Sequence, residues 1–551
     1  MTDATVEGGL AEPEELEPDQ GSLRLAAPGD SHDRSDWEKA AAAVLRKARR
    51  LGDEDADELV WDRLTRSTID GIGISPLGTP DLLDGLTTTG RPTRAGAWDV
   101  RAELTLGADA KADNETLLAD LEGGVTSLHL RGSGEWATVL DGVLLDLAPV
   151  ILDGDAQGFL DHVGDRELHP DTNLGLDPRT PDEALAALAQ DRGIRAYVVD
   201  ATEVHDRGAS EVQELAHALK LGVDLLRTTD DVDATNSLLE FRYAATDEQF
   251  STIAKLRAAR RLWARVLELS GAESRDQRQH AVTSRPMLSK YDPYVNMLRT
   301  TVAAFAAGVG GAESVTVLPF DTPLGTPDAF GRRIARNASH LLVEESHVAV
   351  VSDPAGGAYA VEKLTDDLAV AAWELFGRLD EGEDLAPLIE ATVAERDRLV
   401  ATRKRPITGL TEFPSLDERL PDRASASDPA NHEVRRYGAA FEALRDDPAA
   451  EPVRLAPLGT VAQHTARATF ATNLLAAGGI AVSTEPGPKV ACVVGTDAAY
   501  DEVGAALAAS LREDGVEWVI VAGKPREWAD DSVAMGVDAL EFLRRTREKL
   551  A

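Results

Sequence analysis

Between about residue 98 and residue 425, short apolar runs alternate with longer amphipathic segments, and this rhythm constrains the fold more than any other feature of the chain. Val125 to Leu130, Val150 to Leu152 and Ala196 to Asp200 are the clearest runs, each followed by polar or glycine residues and then a helical pattern. Strand, turn and covering helix repeated over that length is the sequence form of an α/β chain folded as a (β/α)8 barrel, whose parallel strands need helical crossovers. Barrels of this kind carry their chemistry where strands end, so Arg131, Asp153 and Asp200 are candidate functional residues; each also has the ordinary reading of a helix cap or loop charge.

One stretch within this region carries unusual detail. From Arg333 to Glu345 the apolar residues Ile334, Ala338, Leu341 and Leu342 recur at helical spacing. Val348 to Val351 is a β-branched run that reads as a buried strand. Asp353-Pro354-Ala355-Gly356-Gly357 then supplies a sharp turn, because proline fixes φ and the glycines permit positive φ.

The order R-I-A-R-N, L-L-x-E-E-S and D-P-x-G-G-x-Y-x-V-E in that stretch resembles the acyl-CoA mutases, the adenosylcobalamin-dependent family that includes methylmalonyl-CoA mutase. The resemblance extends over nearly the whole chain after Trp37. Thr68 to Leu77, T-x-D-G-I-x-I-x-P-L, resembles the family strand leading into the barrel, although the residues alone equally suit a surface β-hairpin. Leu238 to Val266 contains a long amphipathic helix that resembles a family helix, with Ile253, Leu256, Ala259 and Leu262 on one side, and Pro293 to Ala307 resembles the next.

Departures from the family pattern fall on its functional segments. The tyrosine-bearing P-F-x-R-G loop is missing, and no tyrosine precedes Tyr197; only Trp98 and Arg101 remain of R-P-W-x-I-R-Q. The family histidine that contacts the thioester corresponds to His205, in a shortened segment that reads as a loop. Where relatives carry S-x-H-T-N-x-x-D-E, this chain has Ser314 to Thr322, and of the last polar positions only Asp321 matches.

From Gly459 to Ala551 helices and strands alternate again, as in a flavodoxin-like doubly wound sheet. In the family this is the cobalamin-binding domain, marked by D-x-H-x-x-G, S-x-L and G-G. His464 stands at the cobalt-ligand position, but Ala462 replaces the orienting acid and Arg467 the glycine. Asp497-Ala498-Ala499 stands for S-x-L, and Gly523-Lys524 for G-G. No catalytic, cofactor-binding or metal-ligating residue is therefore assigned to this chain, and His464 reads as a helix N-terminal residue with no ligand.

The implied organisation is an acidic disordered tail at 1–34, a helical subunit-contact arm at 35–90, the barrel at 91–425, a linker at 426–458 and a degenerate cobalamin-binding-like domain at 459–551. With 57 Lys+Arg against 96 Asp+Glu, a formal net charge of -39 argues against nucleic acid or an anionic membrane as main partner, and any CoA ester would need local Arg or Lys. Cys492 is the only cysteine, which excludes an internal disulfide and a cysteine-rich metal site and fits a cytoplasmic location. No signal-peptide pattern or run of roughly 18 apolar residues occurs.

Together the resemblance implies the small, non-catalytic subunit of a heterodimeric mutase that interconverts (R)-methylmalonyl-CoA and succinyl-CoA, with adenosylcobalamin held by a homologous large subunit. Two other readings stay open: an independently active, divergent acyl-CoA mutase, and a non-enzymatic module that binds a CoA ester or a mutase.

Overall fold

A computed structural model describes residues 29–425 and 434–551, so most of the acidic tail and part of the linker lie outside the described residues. The chain divides into two compact units, Met1–Arg66 and Ser67–Ala551. The division falls at Arg66, inside the arm expected to run to 90.

In the first unit, helix α1 (Arg34–Lys47) starts inside the stretch read as tail. Asp33 caps it through a reciprocal box with Asp36, and Arg46 and Lys47 face the negative end of its dipole. Ala42 and Leu45 pack with Leu51 and Val60, while the Trp37 and Trp61 rings lie 4.5 Å apart. The helix ends just before Arg49, which takes a positive φ of 56°.

The second unit opens with a tight hairpin, in which the Thr68 amide donates to the Ile72 carbonyl at 2.9 Å. The T-x-D-G-I stretch therefore makes no barrel strand. The barrel strands are β1 (Asp99–Thr105), β2 (Ser127–Gly132), β3 (Val150–Gly154), β4 (Asn173–Leu176), β5 (Arg195–Asp200), β6 (Leu239–Ala245), β7 (Gln279–Thr283) and β8 (Ser314–Thr316). All pair in parallel, and β8 closes on β1 through Ser314 to Asp99 and Val315 to Val100. Around them stand α2 (Ala110–Glu122), α3 (Glu211–Leu226), α4 (Gln249–Leu269), α5 (Val295–Val309), α6 (Ala329–His340) and α7 (Tyr359–Asp380).

Helix α4 shows why the pattern is legible. Ile253, Leu256, Ala259 and Leu262 are all buried, as their spacing requires. Trp98, just before β1, packs so closely on α5 that a side chain at Gly308 would overlap its ring.

Val348 to Val351 is not a strand. After α6 the chain runs through one π-helical turn, Leu341–Glu345, and a series of turns, leaving Val350 78% and Val351 56% exposed. Barrel closure is already complete with β8, so no sheet edge is left for this run to join.

The C-terminal sheet is parallel, with strands β9 (Val453–Pro457), β10 (Val482–Ser483), β11 (Val490–Val494), β12 (Trp518–Ala522) and β13 (Asp531–Val533). Their spatial order is β10-β9-β11-β12-β13, the 2-1-3-4-5 arrangement of flavodoxin-like folds. The stretch 426–458 is thus more than a linker: it contains helix Ala439–Asp446 and the interior strand β9. That helix also ties sheet to barrel, since the Tyr291 hydroxyl donates to Asp446 at 2.8 Å and the Lys290 amide to Glu442 at 2.9 Å.

Candidate functional site

The carboxyl ends of the barrel strands gather ionic side chains, and the sequence candidates are among them. Arg131 ends β2 and pairs with Asp153 of β3, Nε to Oδ2 at 3.2 Å, while Asp200 of β5 accepts from Arg242 of β6 at 2.6 Å. With Arg285 and Asp206 they border a cavity of about 440 Å³. Burial pushes the Asp206 carboxyl up to about 6, against the pull of Arg285 at 3.3 Å. A second cavity of about 680 Å³ opens between β1, β8, α2 and α6.

Below the mouth, the barrel axis is filled with charge. Arg101 of β1 crosses to Glu240 of β6 at 2.7 Å and also donates to Ser127 at 3.0 Å and Asp99 at 3.2 Å. Strands β1 and β6 are not neighbours, so this pair spans the interior. Arg242 donates through Nε to Nδ1 of His280 at 3.2 Å, leaving Nε2 to donate to Thr316 at 2.8 Å. Burial, reinforced by Arg101 and Arg242, holds the His280 imidazolium form off and its pKa well below the usual histidine range. The His129 ring stands edge-on to His280, centroids 6.1 Å apart, and burial beside Arg242 pushes its pKa down to about 4. Burial alone would raise the Glu103 carboxyl, but Arg285, at 2.7 and 2.8 Å, with His129 and Arg131 draws it well below its ordinary range.

Barrel interiors are ordinarily packed with branched aliphatic layers. Here paired arginines, carboxylates and neutral histidines take that space, and a buried pair of this sort resists losing either member.

His205 lies in the short helix Thr202–Asp206 rather than in a loop, and it is buried. Its Nε2 is 2.7 Å from Ser284 Oγ and its Nδ1 3.4 Å from Glu214. Glu214 is held in turn by Lys255 at 2.6 Å and the Ala244 amide at 2.7 Å. Serine, histidine and carboxylate stand in the order of a nucleophilic relay, but all three are buried, so the arrangement builds the wall of the barrel. Asp321 is buried as well, accepting from Arg423 at 2.6 Å.

In the C-terminal sheet the motif positions 462–467 all lie within helix α8 (Val461–Ala477), which Thr460 and Gln463 cap reciprocally. Ala462 offers no acid to orient His464. Arg467 reaches over the strand ends, donating to the Gly495 carbonyl at 2.8 Å, pairing with Asp497 at 3.0 Å and lying 5.0 Å from the centre of the Tyr500 ring. Arg526 pairs with Asp501 at 2.6 Å beside it. A corrin nucleotide tail would have to enter this groove, and the residues present do not fit it.

Sequence reasoning found the mouth but missed the axis. A signal was available: Arg101 and Glu103, His129 and Arg131, and Glu240 and Arg242 are each two residues apart, which places both members on one face of a strand.

The sequence profile described as Methylmalonyl-CoA mutase matches residues 189–482, more than half of the chain. The chain belongs to the methylmalonyl-CoA mutase family. Among similar proteins, the methylmalonyl-CoA mutase small subunit of Streptomyces virginiae is 41% identical over 97% of this chain and 99% of that one. The probable methylmalonyl-CoA mutase small subunit of Mycobacterium tuberculosis is 39% identical over 90% and 93% of the two chains. That of Propionibacterium freudenreichii subsp. shermanii, a methylmalonyl-CoA mutase small subunit, is 33% identical over 96% of each. Within this mutase family, the barrel and the parallel C-terminal sheet are the parts of the fold that the segments legible in the sequence build.

Proposed function

We propose that this chain is the small, non-catalytic subunit of a heterodimeric, adenosylcobalamin-dependent methylmalonyl-CoA mutase. Its partner in the cytoplasm is a homologous large subunit that holds the cofactor and interconverts (R)-methylmalonyl-CoA and succinyl-CoA. The observation that carries this reading is the charged plug in the barrel axis, Arg101 with Glu240 and Arg242 with Asp200 and His280. An acyl chain threaded through that space would have to strip apart buried ion pairs, at a cost of several kcal/mol each. The groove filled by Arg467 gives independent support on the cofactor side, and the names of the relatives support a partner subunit. No helix among the described residues is long and apolar enough to cross a membrane.

Mutase turnover with adenosylcobalamin tests the proposal, comparing this chain alone with this chain co-purified beside the large subunit. Activity in the pair only, with one corrinoid per heterodimer, is the expected result. Activity from this chain alone would establish the divergent-enzyme reading instead. Failure to co-purify with a large subunit would favour a binding module.

A further inference from the structure

A groove of about 960 Å³ lies on the flank of the barrel, bordered by the segment before β1, the second half of α4 and the middle of α7. It is separate from the mouth: none of its lining residues borders either cavity there. In a chain of net charge -39, five arginines line it against three carboxylates.

Two of the arginines are neutralised locally, Arg265 by Glu268 and Arg261 by Asp366, each at 2.6 Å. The other three make no salt bridge among the described residues. Arg91 is exposed and has no hydrogen bond or ion pair among the described residues. Arg275 donates to backbone carbonyls, that of Ser274 at 2.6 Å and that of Ala272. Arg260 is buried, and its acceptors are all uncharged: Gly90 O at 3.1 Å, Gln279 Oε1 at 2.5 Å and the Gly310 carbonyl. Burial pushes its guanidinium down to about 10, against the pull of Glu313 and Asp353. Behind them Arg94 donates only to the carbonyls of Ala312, Gly308 and Gly96. The two remaining carboxylates of the lining, Asp276 and Glu374, are exposed.

The wall is built rather than incidental. Gly90 sits at a φ of 83°, where any side chain would overlap the Arg257 carbonyl, so the segment bearing Arg91 is pressed onto α4. Trp373, Ala369 and Val370 of α7 supply an apolar face opposite the arginines' helix, and Thr87 and Thr89 add hydroxyls. The volume suits a small organic ligand, for which pockets of roughly 300–1,000 Å³ are usual. Arginine is the side chain best matched to phosphate oxygens, and an aromatic ring accepts a stacked base.

We propose that this groove binds a nucleoside polyphosphate, with its phosphates on Arg91, Arg260 and Arg275 and its base against Trp373. The site is independent of whether the chain is catalytic. Isothermal titration calorimetry of the full chain with ATP, adenosine and inorganic tripolyphosphate tests it, alongside the variants Arg91→Glu and Trp373→Leu. ATP is expected to bind, more weakly as salt rises, and to exceed both adenosine and tripolyphosphate by roughly tenfold or more. Arg91→Glu breaks no hydrogen bond or ion pair of the described residues, so it should keep the melting temperature while weakening ATP by at least roughly tenfold. Absence of ATP binding, ATP binding untouched by both variants, or tripolyphosphate binding as tightly as ATP would each overturn the proposal.

Discussion

Arg101 and Glu240 meet across the barrel with neither side chain in contact with solvent. Removing one leaves the other buried and unpaired, so Glu240→Ala should lower stability by about 3–5 kcal/mol, read from the denaturant midpoint. The double change Arg101→Met with Glu240→Leu should recover most of that loss, because it removes both desolvated charges; no recovery would mean that the pair is not coupled. Asp206 makes a pH prediction. Its folded value of about 6 lies above the roughly 3.9 of a free carboxyl, so the folded chain binds the extra proton between those values. Its contribution to stability is full below the lower value and is lost as pH rises through the upper one. Asp206→Asn should therefore flatten the stability curve across that window relative to the parent, and an identical slope in both proteins would refute it. These groups were hard to read from sequence because a strand is recognised by apolar residues, and Glu240 and Arg242 interrupt β6, which is buried throughout.

At the scale of elements, legibility followed the burial of apolar side chains. Strands β2, β3 and β5 and helix α4 show their periodicity because one face of each meets an apolar core. β4 and β7, with Asn173, Gln279 and His280 inside, carry no such signature and were not readable as strands. The opposite error occurred at Val348 to Val351, where composition suits a strand but no partner edge exists. β9 was missed as well, because it follows a charged stretch and so reads as linker. Close packing between elements is also testable. Gly308→Ala places a methyl group against the Trp98 ring, and over-packing of that kind should cost about 1–3 kcal/mol and lower the melting temperature. An unchanged melting point would show that α5 can move away from Trp98 freely.

At the scale of the whole molecule, a barrel whose axis is occupied and a sheet whose groove is occupied point the same way. His464→Ala should leave turnover of the assembled mutase within tenfold of the parent, a change in the barrier below about 1.4 kcal/mol. A larger loss in the steady-state rate would return a cofactor role to this chain. The resemblance in the sequence located the groove of the sheet, because motif losses are visible as letters; the ion-paired core of the barrel needed the third dimension. The position of β9 between β10 and β11 has a further consequence for anyone cutting the chain into pieces. A fragment beginning at Gly459 lacks the strand that joins β10 to the other three, so its β10 has nothing to pair with and β11 becomes a bare edge. Such a fragment should aggregate or fail to fold, whereas one that begins ahead of helix Ala439–Asp446 retains the template from which the sheet can grow.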